Sequence, residues 1–329
     1  MNQSKFSLAD VLSVLAALAF GFVCFMGANF LNIDKDVVWG MPHTMGCIIM
    51  AIVCSVLLFS SAYGAKLLKR TSRNFKSAFI LEVLMLVLFL LIAWFFASIY
   101  SPFTHFFTVT AQKEEIKKNL QEGIEQAEKM FADYETYAET RVNLYRNALN
   151  RVVRAENTDP VTFKKFGFSP TNQVSADIQI KNKMFTVRAD LFPTNYSDTI
   201  NNNGIKEVAT EWLNTAKNST SGWKPIGIVR VVNEIESNTT NWRHTLVALS
   251  EVRQLGEDDE NTDDFEYDLS FTDVKKYFTQ LKSPKPISTG FALLAYFLML
   301  LSWIVTKRST KFPGLKLLFG LGRSNENEL

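Results

Sequence analysis

The sequence predicts an α-helical polytopic membrane protein with four transmembrane helices. Between spans three and four it predicts a long helical stalk followed by a periplasmic α+β domain. Three observations carry this. First, 47% of the 329 residues are hydrophobic, yet the mean hydropathy is only +0.02, so the distribution along the chain decides the class rather than the average. Second, four apolar blocks, at 8–31, 44–63, 78–100 and 288–306, have the ~20 residues needed to cross ~30 Å of hydrocarbon. Third, the region between the last two blocks is polar and contains no cysteine. The chain therefore divides into a three-span anchor (1–100) with a basic loop at 64–77, an aromatic belt and stalk helix (101–156), and an α+β domain (157–287). The fourth span (288–306) and a basic tail (307–329) complete it.

Span one opens at Ser7-x-x-Asp10, the pattern of a capping box. Its apolar run from Val11 to Leu31 exceeds the ~7–15 residues of a signal-peptide core, so an uncleaved span is expected. Small residues recur every four positions along one face of span one (Ala17, Gly21, then Cys24/Ala28) and of span two (Cys47, Ala51, Ser55). That spacing lets helices approach closely in lipid and predicts a tight pair.

Span three, "LEVLMLVLFLLIAWFF" at 81–96, holds one acid, Glu82. An acid inside a span is costly and is a functional-site candidate. Glu82 lies close to the start of the span, beside Arg73 and Lys76, where it can reach an interfacial base. Structural anchoring and proton coupling are the two roles it can take.

Orientation follows from the basic residues. Lys66, Lys69, Arg70, Arg73 and Lys76 crowd the loop after span two, and Lys307, Arg308, Lys311, Lys316 and Arg323 follow span four. Both termini are thus expected in the cytoplasm and 101–287 outside it. The net charge of +2 sums two unlike faces and gives no reason to expect nucleic-acid binding. All three cysteines fall in spans one and two. An exported domain without disulfides suits a bacterial periplasm, hence an inner-membrane location. The tail is short and amphipathic, suited to the inner leaflet or to a cytoplasmic partner.

Outside span three, Tyr100, Phe103, Phe106 and Phe107 read as an interfacial aromatic belt containing His105, with Pro102 ending or bending the helix. Ile116, Leu120, Ile124, Ala127, Phe131, Tyr134, Ala138, Arg141, Tyr145, Ala148 and Val152 then recur at steps of mainly four and three. That is a heptad-like seam, read either as an oligomerising stalk or as a helix packed on its own domain. Alternation at Val174, Ala176, Ile178 and Ile180, then at Phe185, Val187, Ala189 and Leu191, predicts a β-hairpin turning at Lys181-Asn182-Lys183. A third strand is expected over 225–234, and helices over 205–216, 240–255 and 271–282.

"EDDENTDDFEYD" (257–268) holds Glu257, Asp258, Asp259, Glu260, Asp263, Asp264, Glu266 and Asp268 without a base. Asp259, Asn261 and Asp263 match the first ligands of a calcium loop, but Asp264 stands where glycine is needed and Ser270 where the bidentate glutamate belongs. A solvated loop or a docking patch for a basic partner fits better. His43, His105 and His244 are scattered, and no hydrolase, phosphate-loop or zinc motif occurs. No catalysis, cofactor, metal or small-molecule substrate is expected.

Three functions fit: an assembly subunit acting as a homo- or hetero-oligomer in the bilayer, a ligand sensor relaying through the stalk, and a proton-coupled channel or transporter using Glu82. The multi-pass anchor, the exported helix "QKEEIKKNLQEGIEQAEKMFADYETYAETRVNLYRNALNRVV" and the disulfide-free head together resemble TssN. That family supplies an inner-membrane subunit of the trans-envelope complex in the Bacteroidota-type (third subtype) type VI secretion system. The resemblance implies partners among other envelope proteins of the same complex, an outer-membrane connection, a cytoplasmic baseplate and no catalysis. It carries over no residue roles.

Overall fold

A computed structural model describes residues 7–71, 75–98, 101–257 and 263–308. They form two compact units, one from the residues up to Lys113 together with those from Lys275 onward, the other from Glu114 to Val274.

The first unit holds four helices long and apolar enough to cross a membrane: α1 (Leu8–Leu31), α2 (His43–Lys69), α3 (Phe75–Phe96) and α11 (Pro286–Val305). The capping box forms as expected, with the Ser7 N–H donating to the Asp10 carboxylate at 2.8 Å. A hairpin, β1 (Val37–Val38) and β2 (Met41–Pro42), joins α1 to α2. The small-residue pairing of spans one and two is present: Ala17, Cys24, Ala28, Cys47 and Ala51 are buried. A Cβ on Gly21 would lie 3.0 Å from the Ser55 hydroxyl.

Pro102 takes the first position of a separate helix, α4 (Pro102–Thr110), where a missing N–H costs nothing. The aromatic belt expected here is instead internal packing. Phe103 stacks on Phe20 at 4.6 Å, Phe106 on Phe30 at 5.8 Å and Phe107 on Phe291 at 5.3 Å. Tyr100 lies outside the described residues. A short helix, α10 (Lys276–Thr279), replaces the longer one expected over 271–282, because Phe271 and the residues before it run extended.

The second unit is helical, not α+β. It comprises α5 (Lys113–Arg154, less its first residue), α6 (Pro160–Lys165), α7 (Ala176–Leu191), α8 (Ile205–Ser221) and α9 (Pro225–Glu251), with no strand among its described residues. All eleven seam positions of α5 are buried, and Phe131, Tyr134, Ala138, Tyr145, Ala148 and Val152 belong to this unit's own core, so the helix is the spine of the head and not a free stalk. The expected hairpin is α7, with Lys181–Lys183 inside it. Beneath the alternation lies a second pattern, Ile180, Met184, Val187 and Leu191 at steps of four, three and four, and these are the residues that pack on the core. The expected strand at 225–234 is the first half of α9. Pro225 starts the helix, and Ile228, Val232, Ile235, Thr239, Leu246 and Ser250 form one buried stripe through to its end. Gly227 permits close approach of α8 and α9, since a Cβ there would lie 2.4 Å from the Ser219 hydroxyl.

Candidate functional site

The buried charged residues of the four spans meet at one end of the bundle, where α1 and α3 begin and α2 and α11 finish. Asp10 is buried one turn inside α1 and accepts hydrogen bonds from Lys66 of α2 and Ser302 of α11. Ser13 ties the same helices together: its hydroxyl donates to the Leu298 carbonyl at 3.0 Å and accepts from the Ser302 N–H at 3.3 Å. Glu82, 1% exposed, supplies the α3 side. Its Oε1 accepts from the Trp303 indole at 3.0 Å and from the Arg308 guanidinium at 2.7 Å. Lys69 lies 4.5 Å from the centre of the Trp303 ring and donates to the Trp303 carbonyl at 2.8 Å. All four spans thus contribute to one layer in which each acid faces a base.

The structure adds two features to the sequence reading. Glu82 is answered from span four, by Trp303 and Arg308, while Arg73 and the Lys76 side chain lie outside the described residues. Sequence reasoning also treated Asp10 only as a cap and Lys66 only as a topogenic charge. The available signal was their depth: an acid one turn into one span and a base one turn from the end of the antiparallel next span lie at the same level.

Inward of this layer the bundle is apolar. Phe20, Cys24, Cys54, Leu58, Phe89, Ala93 and Met299 fill it, with Tyr296 donating to the Ala93 carbonyl at 3.1 Å. Beyond that comes a second polar layer, where His43 contacts the Lys35 carbonyl at 2.8 Å and the Asn29 side chain at 3.2 Å, and Asp34 pairs with Lys275 at 3.8 Å on the exposed rim. His105, on α4, is buried, and burial pushes its imidazole below its usual value against an opposing contact with the Phe278 backbone. It is a packed residue, not a belt residue. His244 is exposed.

In the head, the acidic stretch divides into parts with different roles. Glu257 is buried and binds Arg141 of α5, itself 1% exposed, through Nε at 2.5 Å and Nη2 at 3.0 Å. Arg141 also donates to the Ser250 carbonyl at 2.5 Å and to the Val252 carbonyl, the last acceptors of α9. A cation there complements the helix dipole. Burial works against the guanidinium charge, and Glu257 together with Tyr137 more than offsets it, holding Arg141 above its usual range. Asp258, Asp259 and Glu260, with Asn261, lie outside the described residues. Asp263, Asp264, Glu266 and Asp268 are exposed, and Asp264 pairs with Arg253.

The chain from Asp263 onward is anchored along α5. Tyr137 donates to the Asp263 carbonyl at 2.9 Å, Phe265 packs edge-on against Tyr134 at 5.3 Å, and Tyr267 donates to the Gln126 carbonyl at 3.0 Å. The Gln126 side chain bonds both backbone groups of Ser270, and the Phe271 ring lies over Gly123. Among the described residues no cluster of three His, Cys, Asp or Glu side chains is placed to hold a metal ion.

No protein-family model, curated protein or solved structure matches the chain.

Proposed function

We propose that the chain is a non-catalytic assembly subunit of a trans-envelope machine, a type VI secretion membrane complex on the TssN-like layout. In this reading it lies in a bacterial inner membrane with both termini cytoplasmic and residues 101–287 periplasmic, and its partners are other envelope proteins of the same complex.

One observation supports this above the alternatives. The buried charges within the spans are matched in a single layer at one end, Asp10 with Lys66 and Glu82 with Arg308, and the next layer inward is apolar. A conduit for protons or solutes needs polar groups at successive depths. A buried, internally matched layer instead fixes how the four spans pack, as an anchor requires. The helical head leaves the quoted layout unchanged, since that rests on the anchor, the exported helix and the absence of disulfides.

Glu82→Gln separates the two readings. The amide keeps an oxygen for Trp303 and Arg308 and loses only the charge. An anchor should retain wild-type membrane levels, partner assembly and function in the host. Loss of function with membrane level and assembly both intact would support proton coupling instead.

A further inference from the structure

We infer that the segment Asp263–Thr272 is a strand-addition site for an extended, basic segment of a partner protein. The segment is extended. Tyr137 and Gly123 stand fourteen residues apart on α5, about 21 Å at 1.5 Å per residue, and the eight steps from Asp263 to Phe271 cover that span. That is about 2.6 Å per step, far beyond a helical rise and close to that of a strand.

Its side chains alternate as a strand's do. Phe265, Tyr267, Leu269 and Phe271 turn inward, and Asp264, Glu266, Asp268, Ser270 and Thr272 are exposed. Yet it belongs to no sheet among the described residues. Side chains hold its ends, with Tyr137 at Asp263, the Ser250 hydroxyl 2.9 Å from the Phe265 N–H, and Gln126 at Ser270. Between them the backbone N–H and C=O groups of Glu266, Tyr267, Asp268 and Leu269 have no protein partner among the described residues. An anchored strand with an unpaired backbone edge is a template for a further strand.

Charge selects the occupant. Glu266 and Asp268 present two acids on the outer row, joined by Asp264, which is partly neutralised by Arg253. A strand pairing here with lysine or arginine at every second position would set cation against acid, whereas like charges directly opposite destabilise a pair. That argues against the same segment of a second copy.

The test uses the full-length protein in a non-ionic detergent and a fluorescent peptide of alternating lysine and valine, with binding read by anisotropy. Saturable binding is expected. It should fall at least about tenfold when alternate peptide nitrogens are methylated, which removes backbone donors and leaves the charge. It should also fall at least tenfold in the Glu266→Lys, Asp268→Lys double variant, whose circular dichroism should match the parent. Equal binding of the methylated peptide, or no saturable binding, overturns the inference. The inference deepens the assembly reading, and the two fail separately. Absent peptide binding with an intact native complex sinks only the strand site. Specific peptide binding by a chain that purifies alone from its host sinks only the assembly reading.

Discussion

Arg141, in the second half of α5, and Glu257, beyond the end of α9, form a buried bidentate ion pair across 116 residues of sequence. The pair ties the spine of the head to the C-terminus of its longest partner helix and to the start of the acidic segment. Removing Arg141 would leave a buried, unpaired carboxylate and two helix-end carbonyls without a donor. Arg141→Met should therefore destabilise the head by about 3–5 kcal/mol. Adding Glu257→Leu should restore much of that loss. Hydrogen exchange at the end of α9 in the full-length protein reads both effects.

The membrane layer makes a parallel but asymmetric prediction. Arg308→Gln leaves Glu82 charged and buried with only Trp303 and the nearby Lys69 to balance it. Glu82→Gln leaves Arg308 partly exposed, so its cost is smaller. We expect thermal stability in detergent to fall further for Arg308→Gln, and the double variant to recover toward Glu82→Gln. Equal melting of the two single variants would show that the pair carries no net weight.

Close helix approach sets a third expectation. A Cβ on Gly27 would stand 1.7 Å from the Pro102 carbonyl oxygen, a backbone atom, so α1 and α4 would have to separate. A Cβ on Gly21 would lie 3.0 Å from the Ser55 hydroxyl, which can rotate away, and 3.1 Å from the Ser55 Cβ, a gap that a shift of a few tenths of an ångström relieves. Gly27→Ala should cost about 1–3 kcal/mol or more and Gly21→Ala distinctly less, read as melting temperature in the same detergent.

Alkaline pH should weaken the head. Burial pushes the Tyr145 hydroxyl up to about 12 and raises Tyr134 and Tyr196 further. A folded value above the unfolded one favours the neutral phenol in the fold. Stability is therefore complete below about pH 10 and falls as pH rises through 10 toward 12 and beyond. Ultraviolet titration of tyrosinate should show these residues ionising together with loss of helical dichroism. Independent ionisation of a folded head would contradict this.

The spans were legible because the bilayer imposes a length and a composition that few other contexts require. The α5 seam was legible too, since a 42-residue helix repeats its signal many times. Residues 174–191 misled because α7 buries only part of one face, while Ile178 and Phe185 stay exposed. Its apolar residues thus satisfy a two-residue period as well as a helical one. At 225–234 a β-branched run resembled a strand, but packing of Ile228, Val232 and Ile235 in a single stripe outweighs intrinsic preference. The ion pairs were illegible for a different reason. Partners such as Glu82 and Arg308, 226 residues apart, meet only once the helices are assembled.

The assembly role is tested most directly by purifying tagged protein from its native host in mild detergent, identifying what comes with it and measuring the particle mass. We expect a large particle containing other envelope proteins in fixed ratio. A lone monomer or small homo-oligomer would contradict the role.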